Sequence, residues 1–124
     1  MSVLSHTGKV LYTSYPVEST TYIYNEDGES GADDGWVSAK SDHVAVQVRC
    51  GTLNATALYY RIEGRSNTYT KPCDIYSASI NATQTVDTIV NIAEKVGEVR
   101  VGVYIDFSST PNNFHAGVIS AEIK

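Results

Sequence analysis

The acidic stretch at residues 25–35 is the part of the chain whose residue types could bind a metal ion. It places five carboxylates and three glycines in eleven residues, reading Asn-Glu-Asp-Gly-Glu-Ser-Gly-Ala-Asp-Asp-Gly. Calcium needs several oxygen ligands on a flexible backbone, and this stretch could supply them. The acids do not follow the spacing of a helix–loop–helix calcium site, however. The composition therefore favours an exposed, solubilising loop, with calcium binding as the alternative.

The residue types that usually carry catalysis are scattered along the sequence without a recognisable motif. His6, His43 and His115 do not show the spacing of a metal-binding pair. No serine lies in a Gly-x-Ser-x-Gly turn, and no glycine-rich phosphate loop precedes a helical pattern. A cysteine acting with a distant histidine, or two acids in one cleft, would need partners that the sequence does not mark. The sequence predicts a protein that is not an enzyme and has no cofactor.

The net charge and the cysteine content indicate which partners and which cellular compartment to expect. The net charge of −5 argues against nucleic acid, because phosphates are bound by clusters of Lys and Arg. No apolar run approaches the roughly 20 residues that a bilayer-spanning helix needs. The N-terminus lacks a charged-then-apolar signal pattern, so we expect synthesis in a cytoplasm. Cys50 and Cys73 are then expected to be free thiols, with a disulfide as the alternative.

The elements that would position these side chains are strands. In residues 96–106, four β-branched residues alternate with four residues of other types, which is the period of a strand with one face in a core and the other partly in water: Val99, Val101, Val103 and Ile105 against Glu98, Arg100, Gly102 and Tyr104. Similar patterns predict strands at residues 9–15 (ended by Pro16), 20–24, 43–49, 57–65, 73–80 and 114–123.

Residues 85–93 fit two periods. Val86, Thr88, Val90 and Ile92 alternate as in a strand, whereas a stripe ending at Val96 also fits a helix. The β-branched residues favour a strand to about residue 92, with the helix as the alternative.

Evenly spaced short strands predict an all-β fold: a single antiparallel β-sandwich of about eight strands, with jelly-roll or other Greek-key wiring. We expect residues 1–8 to form an N-terminal arm and residues 9–124 to form the sandwich domain. Val46, Leu58, Val101 and Val103 are the expected core.

The nine tyrosines suggest interaction surfaces, since a tyrosine ring is apolar and its hydroxyl polar. An arm that docks on a neighbouring subunit would use its two apolar residues. The predicted interface residues are Val3, Leu4, Tyr12, Tyr22, Tyr24, Trp36, Tyr59 and Tyr104.

Three segments resemble those of small all-β virion proteins of tailed bacteriophages: residues 60–65 (Tyr-Arg-Ile-Glu-Gly-Arg), 90–103 (Val-Asn-Ile-Ala-Glu-Lys-Val-Gly-Glu-Val-Arg-Val-Gly-Val) and 110–113 (Thr-Pro-Asn-Asn). The resemblance covers roughly the C-terminal half. It implies a jelly-roll-like fold, often trimeric, with no catalysis and no cofactor.

The expected function is that of a capsid decoration (cement) protein. Its partners would be the major capsid protein, or another virion protein, and further copies of itself, with a homotrimer expected. It would be assembled in the host cytoplasm and located in the virion. The alternative is a carbohydrate-binding or adhesion β-sandwich of the tail or fibre type, whose aromatic residues stack on sugars.

Overall fold

The computed structural model describes residues 4–16, 20–39, 43–50, 57–66, 72–81, 85–93, 96–105 and 113–123. These ranges contain eight strands and no helix. The strands are β1 (Leu4–Pro16), β2 (Val37–Ser38), β3 (His43–Cys50), β4 (Ala57–Arg65), β5 (Cys73–Asn81), β6 (Val86–Ile92), β7 (Glu98–Ile105) and β8 (Asn113–Ile123).

The strands form two antiparallel four-stranded sheets that pack as a sandwich. The first sheet has the order β1-β8-β3-β6 and the second has the order β2-β7-β4-β5. Every connection except that between β4 and β5 crosses from one sheet to the other, which is the wiring of a jelly roll. The predicted fold class is confirmed.

The core lies between the sheets and is built by the alternating apolar residues. Val46, Leu58, Val101 and Val103, the expected core residues, are all fully buried. The largest buried side chains are Tyr12 and Phe114, whose rings meet edge to face with centroids 5.2 Å apart. Burial of such apolar surface stabilises the fold by about 25 cal/mol per Å² removed from water.

The first strand is longer than the sequence suggested. The structure places residues 4–8 in β1 rather than in a separate arm, and Leu4 lies opposite Ile123 of β8. The expected boundary at residue 9 therefore falls inside a strand. Because β8 extends to Ile123, residues 4–8 have a partner strand, although their composition is typical of an unpaired tail.

Of two further strand predictions, one is wrong and one is confirmed. Residues 20–24 do not form a strand; only Ile23 pairs, exchanging two 3.0 Å backbone hydrogen bonds with Val103. The strand interpretation of residues 85–93 is confirmed by β6, and the helical alternative is wrong. In the part of the chain that the structure describes, no helix is long and apolar enough to cross a membrane.

Candidate binding face

The outer face of the second sheet, formed by the side chains of β4 and β7 that point away from the core, is covered in part by residues 22–36. We call these residues the covering segment. The tyrosine rings of this segment can lie against the sheet because β7 has a glycine, Gly102, at its centre. A Cβ on Gly102 would stand 2.7 Å from the Tyr24 ring and 3.0 Å from the Tyr22 ring. A face that the alternation predicted to be partly in water is therefore covered by aromatic side chains.

Guanidinium groups and aromatic rings alternate along this face. The Arg100 guanidinium lies 3.5 Å from the centroid of the Tyr24 ring and 4.5 Å from that of the Trp36 ring. The Arg65 guanidinium lies 4.1 Å from the centroid of the Trp36 ring. Arg61 lies 3.9 Å from the centroid of the Tyr22 ring. The resulting stack, which we call the arginine–aromatic stack, runs Tyr22, Arg61, Tyr24, Arg100, Trp36, Arg65. Cation–π contacts are each worth about 0.5–2 kcal/mol, more when desolvated.

Carboxylates on the same strands compensate the buried guanidinium groups. Glu63 Oε1 lies between Arg61 Nε at 3.1 Å and Arg100 Nε at 3.3 Å. Arg65 pairs with Glu98 at 3.0 Å and with Asp33 of the covering segment at 3.2 Å. The side chains of Glu63 and Arg100 are only 6% and 4% exposed. The Arg61–Glu63 pair runs along one strand, and Arg100 makes the contact with Glu63 across the sheet.

The acidic loop is held to the sheet by its backbone. Arg100 Nη1 donates to the carbonyl oxygens of Gly31, Ala32 and Asp34 at 3.0, 3.2 and 3.0 Å. Trp36 Nε1 donates to the carbonyl oxygen of Ala32 at 2.9 Å. Gly35 has a φ of +78°, and a Cβ there would overlap the carbonyl oxygen of Tyr24. The loop is exposed on its outer side as expected, and its inner side closes around one guanidinium group.

The carboxylates of the loop do not converge on a metal site. Among the residues that the structure describes, no group of three or more His, Cys, Asp or Glu side chains is placed to hold an ion. Glu29 is hydrogen-bonded to Asp34, and this contact raises the pKa of Glu29. The calcium alternative thus gains no support from the geometry.

Three tyrosines form a half-buried group at the Arg61 end of the stack. We call Tyr22, Tyr59 and Tyr104 the tyrosine triad. Tyr59 and Tyr104 are stacked with centroids 4.9 Å apart, and Tyr22 meets Tyr104 edge to face at 4.5 Å. Burial raises the pKa of the Tyr22 hydroxyl, although the nearby Arg61 acts in the opposite direction. The triad presents ring edges and hydroxyl groups beside a cation.

The predicted interface residues fall into distinct places. Five of them lie on this one face: the triad, together with Tyr24 and Trp36 in the arginine–aromatic stack. Tyr12 does not lie on the surface. It is fully buried, and its hydroxyl donates to the carbonyl oxygens of Ile23 and Val101 at 2.9 and 3.1 Å. Leu4 is in β1, and Val3 lies outside the described residues.

Sequence reasoning missed the arginines and Glu63 as parts of this face. The signal was present, because Arg61, Glu63 and Arg65 alternate on one side of β4, and Glu63 and Arg65 lie opposite Arg100 and Glu98 of β7. Opposite charges on neighbouring strands usually indicate a solvated face. Only the glycine at position 102 hinted that something lies above it.

The two cysteines are not bonded to each other. Both are free, Cys50 buried and Cys73 exposed, so the expectation of two free thiols is confirmed. Burial raises the pKa of Cys50 to about 11, which keeps it a thiol at neutral pH.

Comparison with protein families and with curated proteins finds no match to this sequence. Solved structures do match by fold. One, titled "Bacillus endospore appendages form a novel family of disulfide-linked pili", is 10% identical, with a TM-score of 0.53 over 98% of this chain and 89% of that one. Another, the "Globular Domain of Zebrafish Complement 1qA protein", is 15% identical, with a TM-score of 0.42 over 92% of this chain and 93% of that one. The first likeness supports the β-sandwich fold of this chain.

Proposed function

We propose that this protein is a structural subunit that binds other proteins through the outer face of the second sheet, and that it acts as a decoration protein on a bacteriophage capsid. The sandwich fold suits such a role but also hosts many others. The bacteriophage assignment rests on the resemblance of residues 60–65, 90–103 and 110–113. The likeness to a protein of the endospore pili is compatible with a subunit of a large assembly.

The observation that carries the proposal is the tyrosine triad beside Arg61. Tyr and Arg are the residue types that most often dominate the binding energy of protein interfaces. These side chains are already ordered: Arg61 Nη2 donates to the Tyr24 hydroxyl at 2.5 Å, and each triad ring packs on another ring. Binding there costs less side-chain entropy than it would at freely rotating residues.

The same geometry favours protein over sugar as the ligand. A sugar platform requires an aromatic face that is open for stacking. The Trp36 ring is occupied by the guanidinium groups of Arg65 at 4.1 Å and Arg100 at 4.5 Å, and the Tyr22 ring is occupied by that of Arg61. Tyr59 and Tyr104 stack on each other. Ring edges and hydroxyl groups remain, which suit hydrogen bonding and edge contacts with a protein surface.

The test is co-sedimentation with undecorated bacteriophage capsids. We expect saturable binding that Tyr104→Ala weakens by about tenfold or more, the usual effect of removing an anchor residue at an interface. The matched control is Tyr76→Ala, since Tyr76 is 40% exposed and lies outside the triad.

Equal binding by Tyr104→Ala and wild type would remove this face from the interface. Failure of wild type to bind capsids would end the decoration assignment. If wild type instead bound glycans on an array, and Tyr104→Ala did not, the carbohydrate-binding alternative would take its place.

A further inference from the structure

The edge strand β6 is the part of the first sheet that is best prepared to pair with another strand. It has seven residues, Val-Asp-Thr-Ile-Val-Asn-Ile, without proline or glycine and with a single charge. Its register with β3 is continuous from Val86 to Ile92. Among the described ranges no strand pairs with its other side. Such an edge exposes unpaired backbone N–H and C=O groups.

The other three edges carry features that oppose pairing. β1 is interrupted by two register shifts, between Val10 and Tyr12 and between Tyr12 and Tyr15, and it ends in Pro16. β2 has only two residues. β5 is bulged where its pairing with β4 shifts at Ile62 and Glu63. Bulges, proline and short length are the usual protections of sheet edges, and β6 has none of them.

The side chains of β6 are also arranged symmetrically about its centre. Ile89 is the fourth of the seven residues and is 56% exposed, a large value for a bulky apolar residue. In an antiparallel pair of two β6 strands centred there, Ile89 lies opposite Ile89 of the second copy. Asp87 then lies opposite an asparagine, Val86 opposite an isoleucine, and Thr88 opposite a valine.

This register is preferred over the one centred at Thr88. A centre at Thr88 would put the carboxylate of Asp87 opposite an isoleucine and shorten the pairing. The Ile89-centred register instead pairs all seven residues and sets a carboxylate against an amide donor. It also covers two exposed isoleucines with each other, which removes apolar surface from water.

We propose that a second copy of this chain binds along β6, related by a two-fold axis at Ile89, so that the two first sheets join into one eight-stranded sheet. Inward-facing Val86, Val90 and Ile92, which are only half-buried in one chain, gain cover from the neighbouring strand. The contact closes on itself and therefore yields two copies rather than the three that the sequence resemblance implies. It does not depend on capsid binding, which uses the other sheet.

The test is sedimentation velocity on the full chain over a range of concentrations. Wild type should pass from one to two times 13.5 kDa as concentration rises. Ile89→Lys should remain at one chain mass at every concentration, because two ammonium groups would meet at the axis. Its exposure means that the substitution leaves the fold intact, which circular dichroism checks.

The matched control is Val10→Lys. Val10 is 53% exposed on the outer face of the same sheet, but it lies on β1 at the opposite edge. This variant should still dimerise. In a Cys73→Ser background, Ile89→Cys should form a disulfide-linked dimer under mild oxidation, because cross-strand Cβ atoms lie about 4.5–5.5 Å apart.

Three results would overturn the proposal: a wild type that is monomeric throughout, an Ile89→Lys variant that dimerises as wild type does, or a trimer or open-ended series of larger species. Loss of dimerisation in Ile89→Lys with retained capsid binding would separate this contact from the proposed docking face. Tyr104→Ala should show the opposite result, retained dimerisation with weakened capsid binding, which would show that the two contacts are independent.

Discussion

The two outer faces of the sandwich carry the same kinds of residues in opposite environments. Arg100 and Glu63 on the second sheet have side chains 4% and 6% exposed, whereas Arg49 and Asp87 on the first sheet form a 3.5 Å pair with side chains 61% and 67% exposed. Part of the outer face of the second sheet is covered by residues 22–36. On the first sheet the residues that face outward include Val10 and Ile89, which are more than half exposed.

This difference shows that strand alternation identifies which residues leave the core but not what covers them. One face uses buried charges to hold a segment of its own chain. The other carries an exposed ion pair, the exposed apolar residues Val10 and Ile89, and an unprotected edge. This difference is the basis of the two proposals, which place contacts with a second copy on the first sheet and contacts with another protein on the second.

The largest expected effect tests whether the two ion pairs differ as their burial indicates. Arg100→Ala should lower the free energy of unfolding by about 3–5 kcal/mol, because it leaves Glu63 with one cation fewer and three carbonyl groups without their donor. Arg49→Ala, the matched change on the first sheet, should cost about 0–1 kcal/mol. Urea denaturation measures both. Similar values for the two variants would contradict the assigned role of the arginine–aromatic stack.

A smaller effect is expected from adding one methyl group to each face. Gly102→Ala should cost about 1–3 kcal/mol, since its Cβ would stand 2.7 Å from the Tyr24 ring and push the covering segment away. Gly8→Ala on the first sheet should be close to neutral, because its nearest neighbour would be the carbonyl oxygen of Val118 at 3.9 Å. Thermal melting of the two variants compares them. Equal melting temperatures would mean that the segment does not press on the glycine.

The smallest effect concerns the layer between the two sheets. Burial, followed by the neighbouring Tyr76, raises the pKa of Tyr60 from 10.0 to about 12. The folded state then holds this proton more tightly than the unfolded state, so stability is complete below pH 10 and falls as pH rises towards 12. The slope contributed is at most about 1.4 kcal/mol per pH unit. Tyr60→Phe should flatten the curve, and an unchanged slope would contradict the assignment.

Much of the fold could be predicted because its information is local. Valines at every second position identify β3 and β7, and the β-branched residues of β6 decide against the competing helical period. The sandwich and its core follow from counting such strands. These features depend on neighbouring residues in the chain, where the period of side-chain direction is fixed by the backbone.

The parts that could not be predicted depend on distant partners. Tyr-Ile-Tyr at residues 22–24 has the alternation of a strand. In the structure only Ile23 pairs with β7, and the rings of Tyr22 and Tyr24 lie over Gly102. Tyr12 looks like a surface tyrosine until two buried carbonyl groups are found at its hydroxyl. The aromatic residues of the site were recognised by type, but the arginines between them became visible only when β4 and β7 were paired.

The pairing of Leu4 with Ile123 places the first and last described residues side by side, at the corner of the sandwich where β1 meets β8. Directly opposed residues on antiparallel strands have Cα atoms about 4.5–5.5 Å apart. A peptide joined directly before Leu4 or after Ile123 would therefore start at the same corner, and a short linker between these two residues would allow the chain to be reopened elsewhere. Any cargo attached there leaves from the β1 edge, on the far side of the sheet from β6.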